Sequence, residues 1–330
     1  MTSAVVGVTV EPDGPGSLVV TWQVDGPDVA VDVSVGPTPE AIDHDHNVTV
    51  SAGVGYARLE GLPPGRHYVS VARAGAGPGV VAAERRVPFE GVTNFRDLGG
   101  YRTVEGRRTR WGMVFRADAL NGLTSADLTA YDQLGLRVVY DLRGDVERAA
   151  FPNPMSSIQV PLLARVHELA AEEPVDRTGM TAREGEELLR DLYVGMLDHA
   201  GPLIGRVLTG LADPDGVPTV FHCAGGKDRT GITAAVLLEL LGVSRADALD
   251  DYELTARFRR RQDQETGFQG LLDTGMPPEA AASVLGTPRW AMEEALQRLD
   301  GFGGVAGYLT GPGGMRTEHL DMLRRMLLTD

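Results

Sequence analysis

Between Val217 and Gly242 an apolar strand pattern, a glycine-bearing loop and a helical pattern follow one another without interruption. The strand reads Val-Pro-Thr-Val-Phe. The loop reads His222-Cys223-Ala224-Gly225-Gly226-Lys227-Asp228-Arg229, and Thr230-Gly231-Ile232 opens the helix. Such a loop lies where the carboxyl end of a strand meets the N-terminus of a helix, the usual ligand position in an open α/β sheet. Met-Val-Phe-Arg-Ala-Asp and Leu-Arg-Val-Val-Tyr-Asp-Leu-Arg read as further short buried strands. Thr-Ser-Ala-Asp-Leu-Thr-Ala-Tyr-Asp-Gln-Leu begins with a capping residue and reads as a helix, and residues 184–200 have an amphipathic repeat. Strands alternating with helices predict a mostly parallel sheet flanked by helices over residues 89–330. The stretch from Asp250 onward is mainly helical in pattern.

Residues 1–88 follow a different rule. Apolar residues alternate in Ser-Leu-Val-Val-Thr-Trp-Gln-Val, Val-Ala-Val-Asp-Val-Ser-Val and Arg-His-Tyr-Val-Ser-Val-Ala-Arg, with Gly, Pro and Asp between them. That pattern predicts a small all-β sandwich. Its Leu62-Pro63-Pro64-Gly65 followed by Tyr68, with Trp22 on an early strand, resembles a fibronectin type III module. The resemblance implies a corner tyrosine at Tyr68 and a buried Trp22, and a role as scaffold or positioning element. A chain of 330 residues accommodates both units, since single cores stop growing at about 250–300 residues.

Charge and cysteine count narrow the function. A net charge of −15 excludes a nucleic-acid partner, which needs a basic face. No stretch is long and apolar enough to span a bilayer, and the N-terminus lacks the basic and apolar regions of a signal peptide, so the expected location is cytoplasmic. There is one cysteine, Cys223. It excludes an intrachain disulfide and a cysteine-based zinc cage. There is also one lysine, Lys227, four residues away, against thirty arginines. Both residues are expected to serve one site.

The chemistry follows from the loop. Free N–H groups and the helix dipole at a helix N-terminus favour an anion. Gly225 and Gly226 allow the backbone from Ala224 onward to curl, so that successive N–H groups point inward as a nest. The helix start, Arg229 and Lys227 each favour thiolate over thiol at Cys223. A thiolate can attack phosphorus, while the planar fork of Arg229 matches two phosphate oxygens. Lys227 supplies a point charge. Thr230 can hydrogen-bond the sulfur, and His222 can orient the loop. The leaving oxygen needs a proton, which a carboxylic acid can give and later retrieve. Asp228 is the first candidate and Asp141, at the end of a strand, the second. Asp97 and Asp118 follow. Upstream, Asn94-Phe95-Arg96-Asp97-Leu98-Gly99-Gly100-Tyr101 reads as a support for the loop, with Arg96 or Asp97 bonding to it.

Other readings of the same residues are weaker. Gly-Gly-Lys-Asp is no Walker loop, because Asp228 stands where Ser or Thr should follow the lysine. A thiol-dependent arsenate reductase needs further cysteines. His44-Asp45-His46 reads as a solvated turn, the acidic run at Glu172 and Glu173 as a solvated loop, and Arg259-Arg260-Arg261 as an exposed helical face that could instead meet an acidic substrate.

Together His-Cys-Ala-Gly-Gly-Lys-Asp-Arg-Thr-Gly and Asn-Phe-Arg-Asp-Leu-Gly-Gly-Tyr resemble the bacterial branch of the protein tyrosine phosphatase superfamily. The segments Phe-Arg-Ala-Asp-Ala-Leu, Tyr-Asp-Leu-Arg-Gly and Asp-Asp-Tyr-Glu-Leu-Thr-Ala-Arg-Phe fit the same pattern, and the likeness covers most of residues 89–330. It implies hydrolysis through a phosphocysteine, with no metal and no cofactor. It implies Asp228 as acid, Lys227 as an aid to phosphate binding, and a helical lid. Family substrates include phosphotyrosine, phosphoserine or phosphothreonine, and phosphoinositides. The expected partner is thus a phosphorylated protein or a small phosphomonoester (nucleotide, sugar or inositol phosphate). A protein that binds phosphorylated partners without turnover is the reading from another class.

Overall fold

The structure is a computed structural model and describes residues 4–172 and 175–329. The chain divides into two compact units, Met1–Val87 with Asp97–Gly100, and Pro88–Arg96 with Tyr101–Asp330.

The first unit is built from antiparallel strands. A three-stranded sheet runs in the order Ala4–Pro12, Leu18–Asp25, Tyr56–Leu59. A four-stranded sheet runs Val48–Val50, Val31–Gly36, Tyr68–Arg73, Val80–Ala83. Alternation dictates the core: Val20 and Trp22 from one sheet pack in one cluster with Val31, Val33, Val69 and Val71 from the other. The Tyr68 hydroxyl is held by the Arg66 guanidinium at 2.6 Å, and the same guanidinium lies 2.7 Å from Asp97.

The second unit carries the strands Ile158–Gln159, Val138–Asp141, Thr219–His222 and Val114–Ala117, paired in that order. All four are parallel. Their register sets Asp141 beside His222 and His222 beside Ala117. Three chain segments therefore leave the sheet at one carboxyl edge, and loops from separate strands converge there. The helix Asp228–Leu240 follows the central strand and is buried along most of its length, consistent with its apolar character on every side.

The flanking helices form where their caps are. Thr124 and Asp127 make a reciprocal capping box at the start of Ser125–Gln133, and Thr181 and Glu184 do the same for Ala182–His199. Two local expectations change. The arginine run is not one helical face: Arg245–Phe258 ends, Arg259 and Arg260 are extended, and a new helix spans Arg261–Asp273. Glu172 is the exposed last residue of the helix Ala164–Glu172, while Glu173 lies outside the described residues. Among the described residues, no helix is long and apolar enough to cross a membrane.

Candidate active site

Cys223 follows the central strand directly and is 2% exposed. The carbonyls from Cys223 to Gly226 are each held by a hydrogen-bond partner. The Cys223 carbonyl meets the His222 ring at 3.1 Å. The Ala224 carbonyl accepts from the Ala119 amide at 3.0 Å. The Gly225 carbonyl accepts from Asn94 Nδ2 at 3.0 Å. The Gly226 carbonyl accepts from Asn94 Nδ2 at 3.2 Å and from Arg116 Nη2 at 2.7 Å. A planar trans peptide points its N–H opposite to its carbonyl, so the amides that follow these four held carbonyls face the other side of the turn. Gly226 makes this possible. Its φ is +62°, and a Cβ there would stand 2.7 Å from the Asp118 amide nitrogen.

Arg229 sits in the first turn of the helix, 8% exposed. Its two terminal nitrogens meet both carboxylate oxygens of Glu147, at 2.5 and 2.8 Å. Glu147 also accepts the Gly144 amide at 2.9 Å, which fixes it at the start of the helix Asp145–Ala150. Burial raises the Glu147 pKa, but the Arg229 bonds and charge outweigh it and hold the carboxyl below its ordinary range. Burial works against the Arg229 charge. The charges of Cys223 and Glu147 override it and keep the guanidinium firmly protonated. Glu147 thus orients the fork, a bidentate geometry that a lysine could not reproduce.

Lys227 is placed differently from expectation. Its ammonium donates to the Val284 carbonyl at 2.6 Å and the Gly286 carbonyl at 2.9 Å, and lies 3.3 Å from Asp228 Oδ1. Three oxygens match its three protons. It therefore ties the loop to the end of the helix Pro278–Leu285. Burial lowers its pKa, with Asp228 opposing. Arg259, from the interrupted arginine run, also reaches the loop: its Cζ would be 3.6 Å from a Cβ on Gly225.

Asp228 is the first residue of the helix and accepts from the Tyr193 hydroxyl at 2.6 Å. Its rival Asp141 is 1% exposed and chelated by Arg143, at 2.9 Å from Nε and 2.7 Å from Nη2. Burial raises the Asp141 pKa, but the Arg143 bonds and the neighbouring His222 more than reverse this and lower it. A buried carboxylate held ionised by its own arginine is neither a proton donor nor a contact for substrate; Asp141 is a support. Asp118 is engaged by the Thr93 and Asn94 amides at 3.3 and 3.1 Å.

Two other expectations shift. Arg96 does not touch the loop. It bonds Asn94 and Asp251, and Asn94 carries the contact onward. Asp97 bonds Arg66 and the Gly99 amide, so its carboxylate is already occupied. The Thr230 hydroxyl is buried without a hydrogen-bond partner among the described residues, so the expected bond to sulfur is not formed in this geometry.

His222 contacts the loop backbone through its ring. A carbonyl only accepts, so Nδ1 carries the proton toward the Cys223 carbonyl, and Nε2 accepts from Asn153 Nδ2 at 3.0 Å. Burial pushes its pKa down from 6.5 to about 4 against the pull of Asp141. The unfolded chain therefore binds this proton over an interval in which the folded chain does not. Stability present above pH 6.5 is lost as pH falls toward about 4, by about 3 kcal/mol. Urea unfolding of His222→Asn across that window should show a flatter pH dependence than the parent. An unchanged slope would remove His222 from this account.

Sequence reasoning missed Asn94, Arg116, Glu147, Tyr193, Asp251 and Tyr252 as site residues. Asn94, Arg116, Asp251 and Tyr252 stood inside the segments that carried the family resemblance. Glu147, four residues after the end of the Asp141-Leu142-Arg143 stretch, gave no signal beyond its place near a helix start.

A Mycobacterium tuberculosis protein named triple specificity protein phosphatase PtpB is 29% identical over 270 residues, covering 70% of this chain and 94% of that one. A Cupriavidus necator protein whose name places it among tyrosine-protein phosphatases is 29% identical over 234 residues, covering 69% of this chain and 84% of that one. A tyrosine-protein phosphatase of Nostoc commune is 31% identical over 151 residues, 46% of this chain and 51% of that protein. The model of the tyrosine phosphatase family matches residues 87–329, nearly the whole of the second unit and its loop, and the chain belongs to that family.

Proposed function

We propose that Cys223 attacks the phosphorus of a phosphotyrosine side chain, and that the loop from Ala224 to Arg229 holds the phosphate during transfer. The observation that carries this reading is that the carbonyls from Cys223 to Gly226 are each held by a partner, an arrangement that suits the opposing amides of that turn to an anion next to the cysteine. In the first step the S–P bond forms as the P–O bond breaks, and Asp228 gives its proton to the leaving oxygen. In the second, Asp228 takes a proton from water as it attacks phosphorus, and the thiolate leaves. Arg229, oriented by Glu147, follows the oxygens through both steps.

The pattern of the β unit before residue 88 resembles a fibronectin type III module. One relative's name ascribes three specificities to that protein, which supports a substrate range wider than phosphotyrosine here. The test is a turnover panel of phosphotyrosine, phosphoserine and phosphothreonine peptides, nucleotides, sugar phosphates and phosphoinositides under reducing conditions. Fastest release from phosphotyrosine peptides is expected. Preference for a small phosphomonoester would replace the substrate assignment, and binding without release anywhere in the panel would replace catalysis with recognition.

A further inference from the structure

We propose that Tyr193 and Tyr252 form a hydrogen-bonded pair that positions the carboxyl group of Asp228 for proton transfer, Tyr193 making the contact and Tyr252 holding Tyr193. This rests on the reading of Asp228 as the general acid.

Tyr193 lies in the helix Ala182–His199 and Tyr252 in Arg245–Phe258; both are fully buried. The Tyr193 hydroxyl is 2.6 Å from Asp228 Oδ1 and 2.8 Å from the Tyr252 hydroxyl. A phenol has one proton to give. That of Tyr193 goes to the carboxylate, so Tyr252 must donate to Tyr193. The chain of bonds therefore has one direction and ends on Asp228. Burial, reinforced by the Asp228 charge, raises the pKa of both phenols, which keeps each a donor.

The packing is built to hold this arrangement. The two rings meet edge to face, 6.0 Å apart at 83°. Gly231 leaves room for the second ring, since a Cβ there would be 3.1 Å from Tyr252 Cδ2. Two phenylalanines would fill the same space. Burying two hydroxyls instead is costly unless each is bonded, and the acceptor at the end of the chain is Asp228.

The consequence concerns which oxygen works. Tyr193 and Lys227 both approach Oδ1. No described residue donates to Oδ2, and the Asp228 side chain is 29% exposed. Oδ1 is the held atom, so Oδ2 carries the proton, gives it to the leaving oxygen and takes one back from the attacking water. The phenol protons stay where they are. Tyr193 is a positioning residue.

Leaving-group dependence separates this from a packing role. A proton donor matters for phenyl phosphate, whose leaving phenoxide is basic, and much less for dinitrophenyl phosphate. Tyr193→Phe should lower kcat/KM, which reports the first transfer alone, about ten times more for phenyl phosphate than for dinitrophenyl phosphate, a loss set by orientation. Tyr252→Phe should shift the ratio in the same direction by less, and it serves as the test if Tyr193→Phe does not fold. Asp228→Asn is the reference and should shift the ratio most. If Asp228→Asn shifts the ratio and neither tyrosine variant does, the positioning pair is wrong. If Asp228→Asn itself shows no shift, the acid assignment fails and the pair with it.

Discussion

Cys223→Ser should lower hydrolysis of an aryl phosphate at least about 10⁴-fold while leaving inorganic phosphate binding nearly intact. A serine hydroxyl fits the same space but is not ionised near neutral pH, so the nucleophile is lost and the cradle is not. The cradle is set elsewhere. Its carbonyls are held by Asn94, Arg116, Ala119 and His222, none of which the substitution touches. Turnover and calorimetric titration with phosphate, run on the same preparation, check both halves. Activity within ten-fold of the parent would mean that another group attacks. Loss of phosphate binding together with activity would mean that the thiolate is needed to organise the loop.

Asp251→Asn should have the largest effect on stability. Asp251 is 1% exposed and lies between two fully buried guanidinium groups, Arg96 and Arg116. It also accepts the Tyr101 hydroxyl at 2.9 Å. Burial and Arg116 already push the Arg96 pKa down, and the Asp251 carboxylate opposes them. Removing the one negative charge leaves two buried cations facing each other, at a cost of about 3–5 kcal/mol. Activity should fall too, because Arg116 holds the Gly226 carbonyl. Replacing Arg96 by Met in the same chain should recover part of the stability, since one stranded charge is then gone. Urea unfolding of the single and double variants reads this directly. A loss under about 1 kcal/mol in the single variant would show that solvent reaches the cluster and screens it.

The loop was legible in the sequence, and its distant supports were not. The loop could be read because it is contiguous: strand end, cysteine, glycines, arginine and helix start occupy one short run. The same holds for the strands that alternate with capped helices and for the alternation that builds the Trp22 core. What was hidden depends on distance along the chain. Arg229 finds its partner Glu147 at 82 positions' separation, and Arg96 finds Asp251 at 155. No local period encodes such pairs. Asp141 misled because its place at a strand end pointed to the right edge. Arg143, two residues on, turns back and neutralises it. Lys227 spends its hydrogen bonds on backbone carbonyls near residue 285, which sequence spacing does not mark.

The central claim is that a phosphoryl group passes through sulfur. Wild-type protein mixed with a good aryl phosphate, quenched in acid within the first turnovers and digested, should yield the peptide containing Cys223 with a phosphoryl group on its cysteine. The adduct should be absent from Cys223→Ser treated in the same way. Turnover with an unmodified Cys223 peptide, or a phosphoryl group on any other residue, would contradict the account.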